Sequence, residues 1–285
     1  MTLSDRRPKS TARVRVREVD SGTVRQREDL VATEEPLEIR VAWPGASPRS
    51  LVVTMRTPGA DFDLAVGFLV SEGLLTHPDG VVQVRYCTDP GVEQTYNVVT
   101  VDLTGPLRGP VAARYGAASA ACGICGKQSL DELELSGLHS VAPGPVVDPV
   151  TLCALPDRLR AAQSLFSRTG GLHAAGVFTP EGELVCARED VGRHNAVDKL
   201  IGWAFLRRRL PLAGHLLVVS GRAGFEICQK ALAAGVPFVA AVGAPSSLAV
   251  DLCDRFGMTL VGFLRGARYV VYTHPDRAAG RGVNQ

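Results

Sequence analysis

Residues 215–264 read HLLVVSGRAGFEICQKALAAGVPFVAAVGAPSSLAVDLCDRFGMTLVGFL. Three short runs in this stretch, HLLVVS (215–220), VPFVAAVG (236–243) and MTLVGFL (258–264), are almost wholly apolar. Between them FEICQKALAAG (225–235) and SSLAVDLCDRFG (246–257) carry apolar residues at helical spacing. Strands this apolar, joined by helices of about ten residues, predict a parallel sheet covered on both faces. The second half of the chain is therefore read as α/β. Ligands of such sheets bind beyond the carboxyl ends of the strands, where loops lead into helix N-termini. Three loops should gather there: SGRAG (220–224), GAPSS (243–247) and FLRGAR (263–268). They bring small residues for close approach, Ser220, and three arginines, Arg222, Arg265 and Arg268, a set suited to a phosphorylated ligand. The plain alternative is that glycine and serine serve there as ordinary turn and cap residues.

Outward from this stretch the alternation continues. PDRLRAAQSLFSRTGG (156–171) reads as one helix with Pro156 near its first turn and Gly170 and Gly171 at its end. HAAGVF (173–178) reads as a strand, RHNAVDKLIGWAFLRRR (193–209) as a long helix and YVVYTH (269–274) as a closing strand. The first half differs. VRVREV (14–19), LEIRVAW (37–43), LVVTMRT (51–57), VVQVRY (81–86) and YNVVTVDL (96–103) are short β-rich runs, interrupted by one helical segment, DFDLAVGFLVSEG (61–73). The expected organisation is a disordered start at 1–12, a β-rich subdomain at 13–115, a linker at 116–145, an α/β domain at 146–277 and a tail at 278–285.

The chain has 285 residues, 46% of them hydrophobic, enough to bury a sizeable core. With 31 Lys and Arg against 29 Asp and Glu, its net charge is only +2, so no global field points to nucleic acid. No segment approaches ~18 uninterrupted apolar residues, and the start lacks an apolar run of signal-peptide length. A cytoplasmic protein without a membrane span is expected. Seven scattered cysteines are an odd set, unlike a secreted disulfide framework.

Two of those cysteines stand out. AACGICGKQ (120–128) places Cys122 and Cys125 two residues apart, beside Lys127 and ahead of Ser129 and Glu132, which have the spacing of a capping box. A helix N-terminus and an ammonium group favour thiolate, the form that attacks sulfur or binds metal. A zinc site needs two further ligands, and the chain has no second CxxC, no HxxxH and no HxE. A carrier or redox pair, a structural metal site and inert thiols thus remain open for the pair. A polar run, REDVGRHNAVDK (188–199), precedes the long helix; in it Asp190 is placed to orient His194, and Arg193 to face an anion.

The segments ACGICG, TGGLHAAGVF, REDVGRHNAVDKLIG, SGRAGFEICQKALAAGVP, APSSLAVDL and TLVGFLRGARYVVYTHP, in that order, resemble the FdhD family of formate dehydrogenase accessory sulfurtransferases. The resemblance runs from about residue 30 to 277. It implies a sulfur carrier that takes sulfur from a cysteine desulfurase as a persulfide and passes it to the molybdenum cofactor, Mo-bis(molybdopterin guanine dinucleotide), for formate dehydrogenase. It implies also a cytidine-deaminase-like α/β domain without the zinc, and a homodimer. Carried over by residue, the persulfide falls on Cys122 with Cys125 as its partner, and cofactor binding on Phe263, Leu264, Arg265, Gly266, Ala267 and Arg268, beside Ser220, Arg222 and His194 from the loops above. GDP is the expected fragment ligand. A redox or nucleotide-binding protein using the pair as a dithiol switch is the competing expectation.

Overall fold

The computed structural model describes residues 7–87, 94–107 and 138–278. The chain opens with a hairpin of β1 (Thr11–Asp20) and β2 (Thr23–Ala32), turned through Ser21 and Gly22, both at positive φ. Glu18 faces Arg25 across this ladder and bonds to it, and Arg13 reaches Glu28 at 3.3 Å. β2 was not expected, because its residues TVRQREDLVA lie mostly exposed and show no apolar alternation.

A four-stranded sheet follows, in the order β4-β3-β6-β5, from β3 (Glu35–Ala42), β4 (Arg49–Arg56), β5 (Val81–Tyr86) and β6 (Val98–Leu103). Helix α1 (Asp61–Ser71) packs on its inner face, where Leu37, Ile39, Val41, Val99 and Val101 are buried.

The second sheet has six strands in the order β12-β11-β10-β9-β7-β8. They are β7 (His173–Phe178), β8 (Leu184–Asp190), β9 (Leu216–Val219), β10 (Phe238–Ala241), β11 (Thr259–Arg265) and β12 (Arg268–Thr273). Only β9, β10 and β11 pair in parallel; β12, β7 and β8 join antiparallel. The expected parallel sheet is thus corrected to a mixed one. The cause lies in the hairpins at each end, whose short turns cannot hold a crossover helix.

Alternate residues explain why the central strands are apolar throughout. Leu216, Val218, Phe238 and Ala240 face helix α2 (Pro149–Ala162) on one side, while Leu217, Val219, Val239 and Ala241 face α4 (Arg193–Leu206), α5 (Phe225–Ala233) and α6 (Ser247–Arg255) on the other. α2 begins at Pro149, capped by Asp148 accepting from Val150 and Thr151, so Pro156 sits inside it and not in the first turn. It breaks at Gln163 into α3 (Ser164–Thr169), which ends at Gly170 in the left-handed region.

The two sheets share one core. α1 and α4 cross with their backbones in contact: a Cβ added at Gly67 would lie 1.8 Å from the carbonyl oxygen of Asp198, and one at Gly202 the same distance from that of Asp63. Only glycine permits that approach. Among the described residues no helix is long and apolar enough to cross a membrane.

Candidate site at the carboxyl edge of the mixed sheet

Because β9, β10 and β11 are parallel, their carboxyl ends share one edge, and β7 begins there, with His173 opposite Asp190 at the end of β8. The expected loops meet along that edge and are bonded to one another. The N–H of Gly243 donates to the carbonyl of Gly221 at 2.9 Å, that of Ser246 to Ala223 at 3.2 Å, and that of Phe263 to Gly243 at 3.0 Å. Glycine is required at two of these crossings. A Cβ at Gly243 would stand 2.9 Å from the Gly221 carbonyl, and one at Gly262 2.8 Å from the ring of Pro245.

Phe263 lies in an irregular part of the β11–β12 ladder, between the pairs of Gly262 and Arg265. Its φ is +53°, a left-handed conformation that costs a residue with a Cβ about 1–2 kcal/mol. The bond to Gly243 holds it there, and the residue is left 38% exposed. Leu264 turns inward and is wholly buried in the core beneath the edge. Arg265 and Arg268 pair across the turn at Gly266 and Ala267, all four exposed, with Arg265 Nε donating to the Val242 carbonyl at 3.1 Å. Arg222 is exposed on the neighbouring loop. Ser220 is engaged in the scaffold: its Oγ accepts from the N–H of Ala174 at 2.9 Å while its own N–H donates to the Ala174 carbonyl.

The polar run before α4 divides by role. Glu189 caps α3, accepting from the N–H groups of Leu165 and Phe166. Asp190 is fully buried; it pairs with Lys199 at 2.7 Å and accepts from the N–H groups of Thr57 and Gly192 and from Asn195 Nδ2. Lys199 also donates to the Thr57 carbonyl, and Asn195 to that of Met55. Asp190 therefore fastens β4 to α4 and does not orient His194, contrary to expectation.

The partner of His194 is Glu226, in the first turn of α5, with Nε2 and Oε2 2.8 Å apart. Burial, followed by the charges of Arg193, Lys230 and His173, pushes the His194 pKa down to about 4. Glu226 favours the protonated ring, but its side chain is 48% exposed and the opposing effects outweigh it. The ring is neutral at physiological pH, so the proton between the two groups sits on Nε2, which donates to the carboxylate. His173 is held below its ordinary range too, first by burial and then by Arg193. Sequence reasoning missed Glu226: an acid in the first turn of a helix looks like ordinary dipole compensation, and only the fold brings α4 and α5 together. Cys122, Cys125, Ser129 and Glu132 lie outside the described residues.

Residues 32–279 match the sequence profile of the FdhD/NarQ family. The chain is 50% identical over 277 residues to the sulfur carrier protein FdhD of Streptomyces coelicolor, covering 95% of this chain and 96% of that one. It is 51% identical over 271 residues to that of Nocardia farcinica, covering 94% of each. To that of Mycobacterium tuberculosis it is 49% identical over 278 residues, covering 94% and 98%. Among solved structures it is similar to the crystal structure of a candidate formate dehydrogenase accessory protein from Desulfotalea psychrophila, with a TM-score of 0.72 over 94% of this chain and 99% of that one. The identity there is 22%, so the likeness is one of fold.

Proposed function

The chain belongs to the FdhD/NarQ family, and from that premise we propose that it is a sulfur carrier for formate dehydrogenase, taking sulfur as a persulfide on Cys122 and passing it to the molybdenum cofactor. The acceptor substrate is the bis(molybdopterin guanine dinucleotide) form, and its nucleotide end rests on the carboxyl edge of the six-stranded sheet. The donor is a cysteine desulfurase. The Cys122 thiolate attacks the outer sulfur of the donor's persulfide; a new S–S bond forms, the donor's S–S bond breaks, and the donor thiolate leaves. Cys125 receives the outer sulfur in turn by the same exchange, its thiolate attacking and that of Cys122 leaving. The working unit is a cytoplasmic homodimer, and its α/β part is a cytidine-deaminase-like arrangement that has lost its zinc.

The observation that carries the reading is the ledge of three mutually bonded loops with Arg222, Arg265 and Arg268 exposed on it. Guanidinium groups give charge-assisted bonds to phosphate, and the N-terminus of α6 behind the 243–247 loop, with no acid in its first turn, adds to the attraction. The test has two readouts. After incubation with a cysteine desulfurase and cysteine, the peptide containing Cys122 should gain the mass of one sulfur, and Cys122→Ala should leave formate dehydrogenase inactive in a host lacking its own copy. GDP should bind to the full chain, and Arg268→Ala should weaken it about tenfold to a hundredfold, the effect of losing a charged hydrogen bond, with sulfur loading intact. An unloaded Cys122, or a Cys122–Cys125 disulfide in its place, overturns the carrier reading; GDP affinity unaltered in Arg268→Ala overturns the ledge.

A further inference from the structure

We propose that Glu226, held in place by His194, is the residue that reads the guanine base of the nucleotide on this edge. The inference rests on the reading that a guanine nucleotide end occupies the ledge. Glu226 stands two residues beyond the 220–224 loop, in the first turn of α5, and its side chain is about half exposed. The neutral ring of His194 donates one hydrogen bond to Oε2 at 2.8 Å, which fixes the carboxylate while leaving Oε1 and a lone pair of Oε2 as acceptors. His194 stands in the first turn of α4. The ring of His173 lies 3.4 Å from where a Cβ of Gly221 would stand, so both histidines flank the same loop.

An oriented carboxylate with two open acceptor sites matches one nucleobase. Guanine presents two adjacent donors on its Watson–Crick edge, the N1–H and the N2 amino group, and a carboxylate takes both in parallel. Adenine presents a lone pair at N1, which the carboxylate repels. The same charge sets the direction in which the nucleotide lies. A negative group in the first turn of α5 disfavours phosphate at that helix end, whereas the N-terminus of α6, capped by Ser246, carries no acid in its first turn. The base is directed to the α5 side, and the phosphates toward α6 and the arginines of the 263–268 turn. His194 is then a positioning residue, and Glu226 the specificity-determining one.

Calorimetry on the full chain with GDP, IDP and ADP tests this, since hypoxanthine keeps the N1–H of guanine and lacks the amino group. The wild type should bind GDP about tenfold more tightly than IDP, the scale of one charged hydrogen bond, and ADP more weakly than either. Glu226→Gln should bring the GDP and IDP affinities within about twofold of each other and raise the ADP affinity, because an amide donates to N1 of adenine. Glu226→Ala should remove the same preference without offering a new donor. A general loss of structure would weaken all three ligands together, so the ratios separate recognition from folding. A wild type that does not bind GDP overturns the ledge reading and this inference with it. A wild type that binds GDP, with both variants keeping its preference over IDP, overturns the assignment of Glu226 alone.

Discussion

His194 gives the molecule a measurable pH dependence. In the native state its pKa is near 4, against an ordinary value of 6.5, because burial and the neighbouring cations disfavour the charged ring. Between those two values the unfolded chain binds a proton that the native chain refuses, so the contribution of this residue to stability rises with pH across that window and is level above it. His194→Asn keeps a donor toward Glu226 and removes the titration. The stability of the wild type relative to this variant, from denaturant midpoints, should increase as pH rises from about 4 to 6.5 and then stay constant. A difference that does not change with pH would mean that the ring titrates in the native state as it does in the unfolded chain.

At the level of elements, the crossing of α1 and α4 leaves the least room for a side chain of any glycine site among the described residues. Gly67 and Gly202 each face a carbonyl oxygen of the opposite helix, at 1.8 Å from a notional Cβ, and backbone cannot step aside as a flexible side chain does. Gly67→Ala or Gly202→Ala should therefore cost at least about 3 kcal/mol, the upper end of the usual penalty for overpacking, as read from chemical denaturation; a loss under about 1 kcal/mol would show that the helices can separate without cost. Neither glycine announced this in the sequence, where each looks like a tolerated gap in a helical pattern. What was legible followed burial. The central strands LLVV and FVAA, apolar on both faces, could be placed from sequence to within two residues. β2, almost wholly exposed, carried no apolar signal, and β8 was hidden because REDVGRHNAVDK reads as a polar junction although its acids are engaged with backbone and Lys199. The edge was legible through its arginines and small residues. The His194–Glu226 pair was not, because it joins two helices separated by the whole of β9.

For the molecule as a whole, one core runs from Leu37 and Val101 of the four-stranded sheet through α1 and α4 to Leu217 and Val239 of the six-stranded one. Neither sheet keeps its inner face covered without the other, so both should unfold in a single transition. The two tryptophans report on the two sides: Trp43 follows β3, and Trp203 lies on α4. Variants retaining one or the other should give coincident fluorescence midpoints in denaturant, and separated midpoints would divide the core in two. The fastening of β4 to α4 also bears on how such proteins can be recombined. A crossover between Thr57 and Asp190 in a chimera of two relatives takes Thr54 and Thr57 from one parent and Asp190, Asn195 and Lys199 from the other, residues that here share one set of bonds. Asp190 and Lys199 then come from one parent and stay paired, whereas the bonds from Thr54 Oγ1 to Asn195 and from the Val191 N–H to Thr57 Oγ1 cross the join, and a parent lacking either hydroxyl leaves a polar group there unsatisfied, at about 1–3 kcal/mol. Beside that seam stands His194, so a mismatched splice would first disturb the His194–Glu226 pair at the sheet's carboxyl edge.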